Sequence, residues 1–486
     1  MRDLVILIEA DSKACRSMAR KLRAEHIYCR ILPASATGED VKAHEARGIL
    51  LAGADLGEPA QIPHLDSLLA TGLPVLAMGD AALSLALQLG CSLGEKAGAP
   101  GVFPVRFESA DDLFSGITAN ERYIPACRCI TLSAACHPIA QTKDGVLGFR
   151  AAGKSVYALG FLPETNDPDG TQLLINFCTG ICGCTLWWSR QVLMDRAREE
   201  LQTACPGETE ALCAISGGID SGVCAVLGNQ AIGHRLHCLF IDTGLLRKNE
   251  SDEVLRLYQD TLGLNVEYVD ASGEILSALQ GVTNGRAKAR IIHELLQEII
   301  ADRAQRMPNV KVLLQGTNYA DALDSPLQAS AVPEGFTIVE PVRELFKDEV
   351  RRVGEDLLLP AAIIKRQPFP DSGLALRILS EVTQEKLTIL READAIFRTE
   401  IEAAGQNKRL WQYYATLADN PTPMGAGYVI ILRAVQVIDG NVAVASRLPH
   451  DLLERVTAGI LATQSAVRRV LYDFTPSQSY FSNEAN

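Results

Sequence analysis

Along residues 1–190, short apolar runs alternate with stretches of helical spacing. The runs LVILIEA (4–10), GILLAG (48–53) and PVLAMG (74–79) each end near a glycine or an acid, and residues 80–89 have the spacing of a helix. Such alternation predicts a mostly parallel sheet with helices on both faces. A second region of the same kind begins near residue 190. Residues 190–204 carry a helical pattern, and ALCAISGGIDSGVCAVLG (211–228) reads as strand, loop and helix. Further strands are predicted at 236–244, 265–272, 310–318 and 336–342, with long helical patterns between them. From about residue 373 the pattern changes to a long helix (380–404), a strand-rich stretch (428–448) and a final helix before a polar tail. The expected fold class is α/β: two doubly wound parallel-sheet domains, 1–188 and 189–372, followed by a small α+β domain, 373–486. No internal repeat or low-complexity segment interrupts this order.

A chain of 486 residues has room for about three domains of roughly 150 residues each. Lys and Arg total 46 against 59 Asp and Glu, a formal net charge of −13, with a pI near 5.2. That balance argues against nucleic acid or an anionic membrane as the main partner, while leaving room for a local basic pocket that takes a phosphate. The N-terminus, MRDLVILIEADSK, lacks the apolar core and small-residue cleavage site of a signal peptide. No apolar stretch reaches the roughly 18 residues of a spanning helix, so the expected location is cytoplasmic. In a reducing compartment the thirteen cysteines are expected as free thiols. The closest cluster, Cys178, Cys182 and Cys184, has no second ligand pair at zinc-site spacing, and buried thiols are the plainer reading.

The sharpest local signal is Ser216-Gly217-Gly218-Ile219-Asp220-Ser221, set between an apolar run and a helical pattern. Two glycines let backbone N–H groups approach an anion closely, and the following helix adds its positive end. Ser216 and Ser221 offer hydroxyls, and Asp220 offers a carboxylate for Mg²⁺ beside a pyrophosphate. The terminal Lys-Ser/Thr of the Walker loop is absent.

SGGIDS resembles the pyrophosphate loop of the ATP pyrophosphatase superfamily, and nearly the whole chain resembles the GMP synthetase family. The segments FIDTGLLRKNE (240–250), LLQGTNYADALDS (313–325), VEPVRELFKDEV (339–350), PFPDSGLALRIL (368–379) and RLPHDLLERV (447–456) carry the likeness in order. The resemblance implies a class I glutaminase-like domain, an ATP pyrophosphatase domain and a C-terminal dimerisation domain, hence a homodimer. It implies ATP and Mg²⁺ as cofactors, and a purine-like substrate whose carbonyl oxygen is adenylated so that ammonia displaces AMP. By position it assigns Ser216, Gly217, Gly218, Asp220 and Ser221 to the pyrophosphate, with Asp220 as the metal ligand. Asp242, Gly244 and Leu245 fall to adenosine, Gly316 and Thr317 to a second nucleotide-facing loop, and Lys347 to the phosphates. Lys288 and Arg290 keep positive charge where the family holds a substrate phosphate.

The departures from the family are as informative. A class I glutaminase needs a cysteine at a strand–helix elbow and a histidine base. Here the elbow position holds Gly79, and in Phe161-Leu162-Pro163-Glu164 the histidine is replaced by Leu162, leaving only Glu164. The oxyanion segment reads Ala52-Gly53-Ala54-Asp55, which brings an acid where charge of the same sign would develop. The C-terminal tail, from Thr475 to Glu484, lacks the lysine and the Trp-Glu pair with which the family cradles its purine nucleotide. The expected activity is therefore an AMP-forming ligase without glutamine hydrolysis, supplied with ammonia from outside the chain. Two alternatives stay open at the level of sequence: a sulfur transferase served by a separate sulfur donor protein, and a non-catalytic nucleotide-binding regulator.

Overall fold

The computed structural model describes residues 3–54, 56–97, 101–108, 110–118, 121–124, 127–162, 168–324, 335–370, 372–420, 426–438 and 442–475. The chain forms two compact units, residues 1–193 and 194–486.

In the first unit, Val5–Glu9 is buried on both faces, as a continuous apolar run requires of a central parallel strand. It pairs in parallel with Cys29–Pro33 on one side and Gly48–Ala52 on the other. Val75–Met78 and Val156–Leu159 extend the parallel order. Beyond them the sheet turns antiparallel through Gly145–Ala151 and Cys136–Thr142, a hairpin turning at Lys143 and Asp144. The unit runs to residue 193, slightly past the expected boundary at 188, and Trp188 packs within it. Its ring stacks on Tyr28 with centroids 4.6 Å apart, and its N–H donates to the His26 carbonyl at 2.9 Å.

The second unit is built on a five-stranded parallel sheet. Its order is Val266–Asp270, Leu236–Asp242, Glu210–Ile215, Val310–Leu314, Thr337–Val339. The first strand in sequence is thus central, and the chain builds outward from it in both directions. This reversal opens a crevice at the carboxyl end of Glu210–Ile215, the usual place for a ligand in such sheets.

A second sheet of this unit is centred on Tyr428–Ile438. Gln412–Asp419 lies antiparallel on one side, and Val442–Ala445 and Val467–Tyr472 follow each other along the other. The α/β class with two parallel-rich sheets and a smaller C-terminal sheet is as expected. The segments 189–372 and 373–486 nevertheless share one core. Leu212, Leu239 and Leu313 from the parallel sheet, Leu387, Leu390 and Phe397 from helix Gln384–Ala403, and Ile430 and Val456 beyond it form one apolar cluster. Among the described residues no helix is long and apolar enough to cross a membrane.

Candidate nucleotide site

The loop after Glu210–Ile215 passes directly into helix Ile219–Ile232, with Gly218 as its cap. Gly217 takes a left-handed φ of +78°, which a side chain would resist. Space forbids one as well, since a Cβ there would lie 2.6 Å from Val254 Cγ2. The serine hydroxyls brace this turn. The Ser216 N–H donates to Ser221 Oγ at 3.2 Å, the Gly218 N–H donates to Ser216 Oγ at 3.3 Å, and Ser221 Oγ donates to the Gly218 carbonyl at 3.3 Å. The result is a rigid concavity at a helix N-terminus, suited to an anion.

Asp220 sits in the first turn of that helix. Its Oδ2 pairs with Lys347 Nζ, delivered from the start of helix Lys347–Asp356. Its Oδ1 is buried and makes no hydrogen bond. A buried, uncompensated carboxylate oxygen beside an anion cradle fits a hard cation such as Mg²⁺. Gly316 closes the other wall: a Cβ there would lie 2.8 Å from Ser221 N, so the backbone at 316–317 runs against the loop. Thr317 follows it, half-buried.

At the end of the neighbouring strand Leu236–Asp242, Asp242 Oδ1 accepts the Gly244 N–H at 2.8 Å and Oδ2 accepts the Tyr268 hydroxyl at 3.3 Å. Gly244 has φ +68°, and its carbonyl accepts Arg391 Nη2 at 2.7 Å. The sequence assignment needs correction at Leu245. Its side chain is fully buried in the apolar core and its carbonyl accepts the Leu374 N–H, so it anchors the loop instead of facing a ligand.

Lys288 also departs from expectation. It is 1% exposed, and Nζ donates to the carbonyls of Ala375, Ile378 and Ser380 at 3.2, 2.6 and 2.6 Å. Burial, helped by nearby Lys386, pulls its pKa down to about 8. It ties helix Gly285–Arg306 to the segment 375–380 and has no donor left for a phosphate. Arg290 stays on the exposed face of the same helix, 3.8 Å from Glu294.

Sequence reasoning missed two residues beside the loop. The guanidinium of Arg366 lies against Gly217, and its Nη2 donates to the buried Glu250. Nothing in the local pattern marks either one, because 116 positions separate them.

In the first unit the elbow keeps its shape. Gly79 joins Val75–Met78 to helix Asp80–Gln88 with φ +59° and ψ −134°. Its N–H donates to the carbonyls of Leu159 (2.9 Å) and Phe161 (3.3 Å), which draws the half-buried Leu162 segment alongside. Glu164 and Asp55 lie outside the described residues. The Asp80 N–H donates to the Ala54 carbonyl at 2.7 Å. The Asp80 carboxylate, 5% exposed, accepts the N–H groups of Leu56, Gly57 and Glu58 at 2.8–3.3 Å. The donors near the elbow are thus turned inward upon the protein's own acceptors.

Residues 399–479 match the GMP synthase C-terminal domain. The GMP synthase [glutamine-hydrolyzing] of Caldicellulosiruptor saccharolyticus is 35% identical over 503 residues, covering 97% of this chain and 98% of that protein. Those of Carboxydothermus hydrogenoformans and Clostridium perfringens are each 34% identical, covering 98% of both chains in each case. Identity at this level across the full length, over a sheet with its SGGIDS loop at the strand-order reversal, shows that the chain belongs to the GMP synthase family.

Proposed function

We propose that the chain is an ATP-dependent, AMP-forming ligase that converts a carbonyl of XMP or a related purine to an amine with externally supplied ammonia, and that it does not hydrolyse glutamine itself. The single observation that carries the ligase reading is the convergence of the SGGIDS loop, Asp220 and Lys347 at one helix N-terminus. The relatives are named as GMP synthases, and this convergence supplies what the shared half-reaction needs.

In that reaction the substrate carbonyl oxygen attacks the α-phosphorus of ATP and pyrophosphate leaves. Ammonia then adds to the activated carbon, and AMP leaves with the former carbonyl oxygen. The loop N–H groups and the helix terminus stabilise the departing pyrophosphate. Lys347 balances charge on the phosphates from the opposite side. Mg²⁺, which Asp220 would hold, neutralises phosphate charge when bound. Asp242 and the backbone of 316–317 line the remaining sides, where the nucleoside would lie.

Loss of glutamine hydrolysis is supported by three features of the first unit: Gly79 at the elbow, Leu162 in place of a base, and the Asp80 N–H committed to Ala54. A sulfur-carrying role for Cys213 and Cys224 is disfavoured, since both thiols are fully buried and burial pushes both far up. We place the enzyme in the cytoplasm as a homodimer formed through residues 373–486, which sedimentation would test.

The deciding assay is pyrophosphate release from ATP, Mg²⁺ and XMP, run in parallel with ammonium, glutamine and sulfide, with mass analysis of products. GMP from ammonium but not from glutamine is the expected outcome. Turnover with glutamine alone overturns the loss of hydrolysis, and absence of turnover with every purine tried overturns the ligase reading.

A further inference from the structure

The loop has a second cation that neither the motif nor the family assignment supplied. Arg366 lies with Nη1 and Cζ against the position a Gly217 Cβ would occupy, Cζ at 3.2 Å. Its side chain is 18% exposed, so one edge remains open to a ligand. Among the described residues the hydrogen bonding of its side chain is confined to Nη2, which donates to Glu250 Oε1. The edge facing the loop therefore keeps its donors.

What holds the guanidinium there is a buried chain of charges. Glu250 is 6% exposed, and its Oε2 accepts the Arg247 N–H at 2.7 Å. Burial pushes the Glu250 carboxyl up, but Arg366 and Arg247 outweigh it and hold the group below the usual carboxylate range. The Arg247 guanidinium lies 3.9 Å from Glu250, 3.4 Å from Asp394 Oδ2, and 4.2 Å above the Phe369 ring. Asp394 Oδ1 in turn accepts the Ala415 N–H at 3.2 Å. Two arginines and two carboxylates thus alternate from the loop to the strand Gln412–Asp419. Such a chain is costly to bury unless each charge is matched. Here each inner charge has an opposite charge on both sides, and Arg366, engaged by Glu250 through Nη2, is the end of the chain that lies at the loop.

We propose that Arg366 binds the phosphate oxygens held by the SGGIDS loop, and that Glu250, backed by Arg247 and Asp394, is its positioning residue. This rests on the nucleotide reading of the loop. A guanidinium suits the task because its fork meets two oxygens at once. Glu250 removes the rotamer freedom that would otherwise be lost on binding.

The test is calorimetric titration of the full-length protein with inorganic pyrophosphate in Mg²⁺, and separately with adenosine. Arg366→Gln is expected to weaken pyrophosphate at least about tenfold and leave adenosine unchanged. Arg366→Lys, which keeps the charge, is expected to recover part of the loss, and Glu250→Gln to weaken pyrophosphate about three- to tenfold. Pyrophosphate affinity in Arg366→Gln within twofold of the parent overturns the proposal, as does an equal loss for adenosine, which would mark a merely structural role. Failure of the parent protein to bind pyrophosphate at all would overturn the nucleotide reading itself, and this proposal with it.

Discussion

Lys347 closes an ion pair with Asp220 across 127 positions of sequence, so two helices that begin at the same crevice are joined at their first turns. One carboxylate oxygen takes the lysine and the other is buried without a hydrogen bond. In the proposed reaction both partners lie where phosphates would pass. Asp220→Asn and Lys347→Met are each expected to lower kcat/KM for pyrophosphate release by about 100-fold or more. The Lys347 side chain is 45% exposed, so its removal should move stability by only about 0.5 kcal/mol. Steady-state kinetics beside a melting curve separates the two effects.

Gly217 and Gly233 make a matched comparison. Both have positive φ, +78° and +59°, but a Cβ at Gly233 meets open space whereas one at Gly217 meets Val254 and Arg366. Gly233, at φ +59° and ψ −130°, lies where a residue with a side chain is strained, so Gly233→Ala is expected to cost about 2 kcal/mol, the conformational penalty alone, with ATP binding intact. Gly217→Ala adds a steric conflict in the loop and should raise the KM for ATP about tenfold or more. Urea denaturation and ATP titration of both variants check this.

The first unit should release no ammonia from glutamine, and Gly79→Cys alone should not change that. A thiol placed at the elbow would still have leucine, not histidine, at position 162, and the Asp80 N–H would still be bonded to Ala54. A glutamate dehydrogenase-coupled assay on the parent and on Gly79→Cys tests both expectations. Asp80→Ala, by contrast, strips three backbone N–H groups of their shared acceptor and should destabilise the unit by about 2 kcal/mol.

Lys288 carries a pH signature. Its pKa of about 8 in the folded protein lies below the roughly 10.4 of an unfolded lysine. Below pH 8 both states hold the proton and the folded state bears the full cost of burying it. As pH rises from 8 towards 10.4 the unfolded state binds more protons than the folded one, so this group adds stability across that window. Relative to Lys288→Met, the parent should therefore gain on the order of 2 kcal/mol between pH 8 and pH 10. Denaturation at a series of pH values measures the difference, and a gap that stays constant would refute the assignment.

Much of the fold is legible because its strongest signals are local. Val5–Glu9 and Leu236–Asp242 are apolar runs that bury both faces, and the pattern shows this directly. SGGIDS is legible for the same reason: its six residues do their work within one turn. The antiparallel strands of the first unit were not foreseen, since CHPIAQT carries a proline and only weak alternation. Lys288 and Leu245 misled because charge and motif position say nothing of which way a side chain faces. Arg366 and Glu250 were invisible because their meeting is a product of tertiary structure.

The apolar cluster that runs from Leu212 to Val467 also sets the grain at which this half of the chain can be inherited. A cut at residue 372 would pass through a packed interior, leaving Leu239 and Leu313 on one fragment and Leu387 and Phe397 on the other, each facing water. Gene fusion, fission or loss that respects folding must move residues 194–486 as one block. The same continuity leaves the C-terminal sheet little room to diverge independently of the loop that it helps to hold.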